Sequence, residues 1–134
     1  MATATLKYLG ELRTQCIHIQ SGTEIITDAP KDNHGKGEAF SPTDLVATAL
    51  GSCMVTIMAI KAKEINVDLK DSTLSVTKIM QAEPRKIAKI VVQFNMNALA
   101  TDKEKTILER VAMNCPVLLS LNPDIEKKIT FYWN

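Results

Sequence analysis

Residues 41–64, SPTDLVATALGSCMVTIMAIKAKE, decide how this chain folds. Ser41 stands where an N-cap hydroxyl is needed. Pro42 fits the first helical position, where its missing N–H is no loss, and Asp44 follows three residues after the cap as an acidic variant of the capping box. The helix opened by these signals runs to about Glu64, roughly 35 Å at 1.5 Å per residue. Leu45, Val46, Ala49, Leu50, Cys53, Met54, Ile57, Met58 and Ile60 leave almost no polar side before Lys61. A helix apolar nearly all round must be covered nearly all round. Its apolar run, residues 45–60, is interrupted by Thr48, Ser52 and Thr56 and falls short of the roughly 20 residues of a membrane span. The expectation is a long buried central helix, and a chain of 134 residues covers it more easily as a homodimer than alone.

Working outward, residues 3–20 read as two strands broken at Gly10. In the second, alternation puts Leu12, Thr14, Cys16 and His18 on one face and Arg13, Gln15, Ile17 and Ile19 on the other. Ser21-Gly22 turns the chain into a short strand at 23–27. The stretch 29–38, rich in Gly, Pro and charge, reads as a loop. After the helix, Leu74, Val76 and Met80 alternate on one long strand and Ile90, Val92, Phe94 and Met96 on a second, joined by a turn at Glu83-Pro84-Arg85. Polar residues between them predict an antiparallel pair with one wet face. Thr101 and Glu104 open a second helix ending near Asn114, Cys115-Pro116 opens a short third helix, and a last strand at 127–133 places Ile129, Phe131 and Trp133 on one face. Strands, helix, strands, helices, strand make an α+β fold in one domain over 1–134, not a doubly wound sheet.

Sixteen Lys+Arg against fifteen Asp+Glu leave a net charge of +1, which argues against a protein that binds nucleic acid by neutralising phosphates. With 46% apolar and 23% charged residues the composition is that of an ordinary globular domain. Three cysteines do not make the even framework of a secreted mini-protein, and MATATLKYLGELRT has no apolar stretch of secretory length. The expectation is a cytoplasmic protein with no membrane partner.

Thiol chemistry is the only catalytic chemistry for which clear parts are present, since GxSxG, HExxH, CxxC and phosphate-binding glycine loops are lacking. Cys53 lies mid-helix among Ala49, Leu50, Thr56 and Ile57. It is either a packing residue, inert when buried without a cation, or a reactive thiol. Cys115, before Pro116, is either part of a plain turn or the cap of a short helix whose amide dipoles favour a thiolate. Arginine is scarce, three against thirteen lysines, and Arg13 shares its strand face with Ile17 and Ile19. Its guanidinium is expected to lean on an apolar surface, either as packing or as a fixed charge that stabilises a thiolate. Cys16-x-His18 alone makes a weak metal pair, so neither a metal nor a cofactor is expected.

SPTDLVATALGSCM at 41–54 and NCPVLLSL at 114–121 together resemble the OsmC-like family, which includes the organic hydroperoxide resistance proteins. The resemblance runs over essentially the whole chain. It implies antiparallel sheets around the central helix and an intertwined homodimer with active sites at the subunit interface. It also implies Cys53 as peroxidatic cysteine, Cys115 as resolving cysteine and Arg13 as the active-site cation. An organic hydroperoxide would be the substrate, and a dithiol, in the family often on a lipoylated protein, the reductant. Hydroperoxide resistance members carry a glutamate ten residues before the peroxidatic cysteine, where this chain has Thr43. Asp44, one residue on, is rotated by about 100° of helix. Asp44, Glu38 or no carboxylate at all orients Arg13 in its place, while Lys31 and Lys36 are the only cations in the loop that supplies arginine in another branch. Thr43 motivates a second reading: a catalytically weak, dimeric small-molecule-binding or stress-associated protein, with Met54, Met58 and Met113 lining an apolar pocket.

Overall fold

The computed structural model describes residues 1–134, which form two compact units, Met1–Val46 and Ala47–Asn134. The first holds a three-stranded antiparallel sheet of β1 (Ala4–Gly10), β2 (Arg13–His18) and β3 (Glu24–Asp28), in that order, and a short 3₁₀ turn at Lys31–Asn33. Gly10, Glu11 and Leu12 all have positive φ, so the reversal between β1 and β2 takes Leu12 out of the strand alternation expected for it. From Arg13 onward the alternation holds. Leu6, Cys16 and Ile25 stand opposite one another on one face, and Arg13 stands opposite Asp28 on the other.

Helix α1 (Pro42–Glu64) has the extent its cap signals predict. Its capping box is closed both ways: Asp44 N–H donates to Ser41 Oγ at 3.1 Å, and Ser41 N–H donates to Asp44 Oδ2 at 3.0 Å. The second unit packs α1 on a sheet of β4 (Thr73–Gln81), β5 (Lys86–Met96) and β6 (Glu126–Trp133). Val76, Val92 and Ile129 lie in one cross-strand row, and Leu74, Phe94 and Phe131 in the next. The Phe94 and Phe131 rings stack at 4.5 Å. Gly51 lets the helix sit directly on this face, because a Cβ there would lie 2.9 Å from Val76 Cγ2.

One expectation needs correction. The second sheet is mixed rather than antiparallel: β4 and β5 form the predicted hairpin, but β6 runs parallel to β5. Between them come α2 (Asp102–Ala112) and α3 (Pro116–Ser120), and a parallel return requires a crossover of that length. Within one chain the central helix is partly buried, and the cover expected from a second copy is not tested by it. Leu50, Met54 and Met58 are sealed in the core, while Cys53, Val55 and Ile57 are half-buried and Ile60 is exposed. One sheet covers one face of a helix and no more. By length and composition alone α1 could cross a bilayer, but here Leu50, Met54 and Met58 are packed into the core.

Helix α2 opens with a complete capping box between Thr101 and Glu104, as their spacing predicts. Its Glu109 accepts the indole N–H of Trp133 at 2.9 Å, tying the helix to β6.

Candidate active site

The second unit brings Cys53 and Cys115 together. Cys53 projects from α1 two residues beyond Gly51, on a stretch of helix that Leu50 and Met54 anchor in the core. Cys115 is the N-cap of α3. Its sulfur accepts the Leu118 backbone N–H at 3.3 Å, and Pro116 fills the first helical position. The side chain is fully buried. Cys53 lies close enough to act on the Cys115 thiol, and neither cysteine is in a disulfide.

Burial pushes the Cys115 thiol up from the ordinary cysteine range; the Leu118 amide opposes that shift and the neighbouring Cys53 reinforces it. Of the two readings of Cys115, the helix cap is the one present, and burial works against a thiolate there. The helix is five residues long, so its dipole is small, and loss of water around the sulfur outweighs it.

Arg13 belongs to the first unit, and its guanidinium does not lean on an apolar surface. Nε and one Nη clasp the two oxygens of Asp28 at 2.7 and 2.8 Å, and that Nη also reaches Glu38 Oε1 at 3.0 Å. Asp28 is buried, with 1% of its surface exposed, and it accepts the Glu38 backbone N–H as well. The arginine holds the Asp28 carboxyl below its usual range, and Asp28 in turn raises the guanidinium further. Of the two carboxylates considered for Arg13, Glu38 is a partner and Asp44 closes the α1 capping box. The dominant partner, Asp28, went unread. It lies at the end of the strand paired with β2, and only the register Arg13↔Asp28 reveals it.

Cys16 and His18, in the first unit, have local partners. Cys16 is half-buried with Thr14 Oγ1 at 3.7 Å, and His18 Nδ1 is 2.6 Å from Ser21 Oγ. No group of three or more His, Cys, Asp or Glu side chains converges as a metal site. A groove of about 720 Å³ runs beside the C-terminal half of α1, over Val55, Ala59, Val67 and Leu69 with Lys63 and Lys70 at its edge. The methionines expected in an apolar pocket do not line it; Met54 and Met58 are sealed in the core.

A family model described as OsmC-like protein matches residues 35–130. A crystal structure from Psychrobacter arcticus, provisionally assigned as an osmotic stress induced and detoxification response protein, is 48% identical over 98% of this chain and 96% of its own, with a TM-score of 0.95. An OsmC like protein from Mycoplasma pneumoniae (15% identity, TM-score 0.80, 97% and 94% covered) shares the fold. So does an organic hydroperoxide resistance protein OsmC from Legionella pneumophila (17%, 0.75, 98% and 97%). No curated protein matches the chain. With the helix, the hairpin and the paired cysteines in place, these likenesses settle descent: the chain belongs to the OsmC-like protein family.

Proposed function

We propose that this chain is a thiol-dependent peroxidase that reduces organic hydroperoxides. One observation carries the reading: the fully buried Cys115 sits beside Cys53, both as free thiols, with burial pushing the Cys115 thiol up. The Cys53 thiolate attacks the distal oxygen of ROOH. The O–O bond breaks, RO⁻ takes a proton to leave as the alcohol, and Cys53 becomes a sulfenic acid. The Cys115 sulfur then displaces the sulfenic hydroxyl, its proton leaving with the hydroxyl as water, and a Cys53–Cys115 disulfide forms. An external dithiol, for which a lipoylated protein is the candidate, restores both thiols by exchange and is itself oxidised to a disulfide. Arg13 is the cation assigned to thiolate stabilisation, with Asp28 and Glu38 fixing its orientation. The working form is a cytoplasmic homodimer, and no step needs a metal or a cofactor.

Steady-state turnover of cumene hydroperoxide with a dithiol tests the reading. Saturable turnover that disappears in Cys53→Ser and falls sharply in Arg13→Ala supports it. Reduced cysteines after stoichiometric peroxide, mapped by mass spectrometry, overturn it.

A second reading, a small-molecule-binding protein with little turnover, is favoured by the apolar groove along α1 and by an arginine whose charge two carboxylates already balance. Saturable ligand binding without peroxide consumption would select it.

A further inference from the structure

We propose that α3 is a redox-gated arm: closing the Cys53–Cys115 disulfide draws Cys115 toward α1 and loosens the turn that its thiol caps, which bares the bond to the dithiol that reduces it. The inference rests on the peroxidase reading for the identity of the natural oxidant, and on the geometry alone for the motion.

Two free thiols stand farther apart than the roughly 2.05 Å of a disulfide bond, so one of them has to travel. Cys53 is poorly placed to do so. Its helix is 23 residues long, with Leu50 and Met54 fully buried on either side of the cysteine. Gly51 already lies against Val76 so closely that not even a methyl group fits between them. Moving Cys53 would shift that whole contact surface across the sheet.

Cys115 is held by far less. The helix it caps is a single turn with no fully buried residue, and Leu119 is 70% exposed. Val117 and Leu118 rest half-buried against the core, and the turn itself is held by a short set of bonds: Leu118 N–H to the Cys115 sulfur at 3.3 Å, Leu119 N–H to the Cys115 carbonyl at 3.1 Å, and Ser120 Oγ to the Pro116 carbonyl at 2.7 Å. The first of these depends directly on the sulfur that has to move. A disulfide sulfur is also a poorer acceptor than a thiol, so the cap weakens even where the geometry is kept. In the reduced state the Cys115 sulfur is sealed from solvent, yet exchange requires a thiolate to reach the disulfide in line. Loosening α3 supplies that access in the oxidised state, where it is needed.

Amide exchange on the full chain tests this, comparing the dithiol-reduced protein with protein oxidised by cumene hydroperoxide. A third sample is oxidised by diamide, which takes two electrons and two protons from the thiol pair and becomes the hydrazine. The Leu118 and Leu119 amides should exchange about three- to thirtyfold faster once the disulfide is present, the range set by loss of a helix cap. The α1 amides flanking Cys53 should keep their protection. Unchanged exchange in α3, or loosening of α1 instead, overturns the proposal, as does failure of both oxidants to form the bond. A disulfide formed by diamide alone, with α3 loosened, leaves the arm standing and removes the peroxidase reading. Cys115→Ser retains a capping hydroxyl and cannot bridge, so diamide should leave its α3 exchange unaltered; loosening there as well would refute the link.

Discussion

Two neighbouring thiols are not equivalent when one is fully buried and the other only half-buried. Burial favours the protonated form of Cys115, which suits the resolving role proposed for it and leaves the nucleophilic role to Cys53 in the proposed cycle. Cys115→Ser should therefore still consume one equivalent of hydroperoxide and stop at the Cys53 sulfenic acid, which goes on to sulfinic acid under excess peroxide. Mass spectrometry would show gains of one and then two oxygens on the Cys53 peptide, and none in Cys53→Ser. The pH dependence has a definite sign. Burial is the largest cause of the Cys115 shift and survives removal of Cys53, so alkylation of Cys115 in Cys53→Ser should set in only above the ordinary thiol pKa of about 8.5. A folded-state pKa above the unfolded value means the native state holds its proton longer. The associated stability is complete below about pH 8.5 and declines as pH rises through the folded pKa. Asp28 behaves in the opposite sense. Its carboxyl is lowered in the fold, so its contribution is present above about pH 3.9 and is lost as pH falls through the folded value. Asp28→Asn should flatten that acid limb in a denaturation series across pH and leave the alkaline limb in place.

At the scale of elements, what was legible in the sequence was what is encoded locally. Ser41-Pro42-x-Asp44, Thr101-x-x-Glu104 and Cys115-Pro116 each carry their own hydrogen-bond partners within one turn, and all three open helices where they predict. The direction of β6 was not legible, because its pattern of Ile129, Phe131 and Trp133 shows which face is buried and is the same in either orientation. Asp28 escaped for a related reason: a cross-strand pair depends on register, and one residue of slip would have faced Arg13 with Thr27. The cysteine pair was legible only through family resemblance, since no spacing rule joins residues 53 and 115. Gly51 tests how tightly α1 is seated. Alanine would gain roughly 0.8–1.0 kcal/mol of helix propensity, but its Cβ meets the stiff, branched Val76, and overpacking costs roughly 1–3 kcal/mol. The expected net effect is a destabilisation of about 1 kcal/mol in urea unfolding. Slower disulfide formation should accompany it as Cys53 is pushed off its site. A stabilised Gly51→Ala would mean that the sheet yields easily beneath the helix.

For the whole molecule, the open question of chemistry is where the uncovered apolar surface goes. The first unit is a three-stranded sheet, and such sheets depend on covering a hydrophobic face. Leu6, Cys16 and Ile25 form one cross-strand row, yet Leu6 is 67% and Ile25 47% exposed, and Tyr8 on the same face is 63% exposed. Phe40 and Ile60 are exposed as well. Contiguous apolar surface of this kind marks an association site more often than a bare exterior. A second copy of the chain is the economical occupant, since it would cover the same residues on both partners at once. The protein should therefore sediment at about twice its chain mass of 14.8 kDa. Leu6→Glu places a charge in the middle of the row, where burial in an interface would be costly and exposure would cost nothing. It should drive the protein toward 14.8 kDa while leaving the Cys53–Cys115 pair able to close under diamide, because those residues belong to the second unit. If wild type and Leu6→Glu both sediment as single chains with unchanged stability, the row is a tolerated surface and the dimer is wrong. Turnover separates the remaining possibilities: loss of peroxide turnover in a monomeric Leu6→Glu that still forms its disulfide would make the assembly, rather than the thiol pair alone, the catalytic unit.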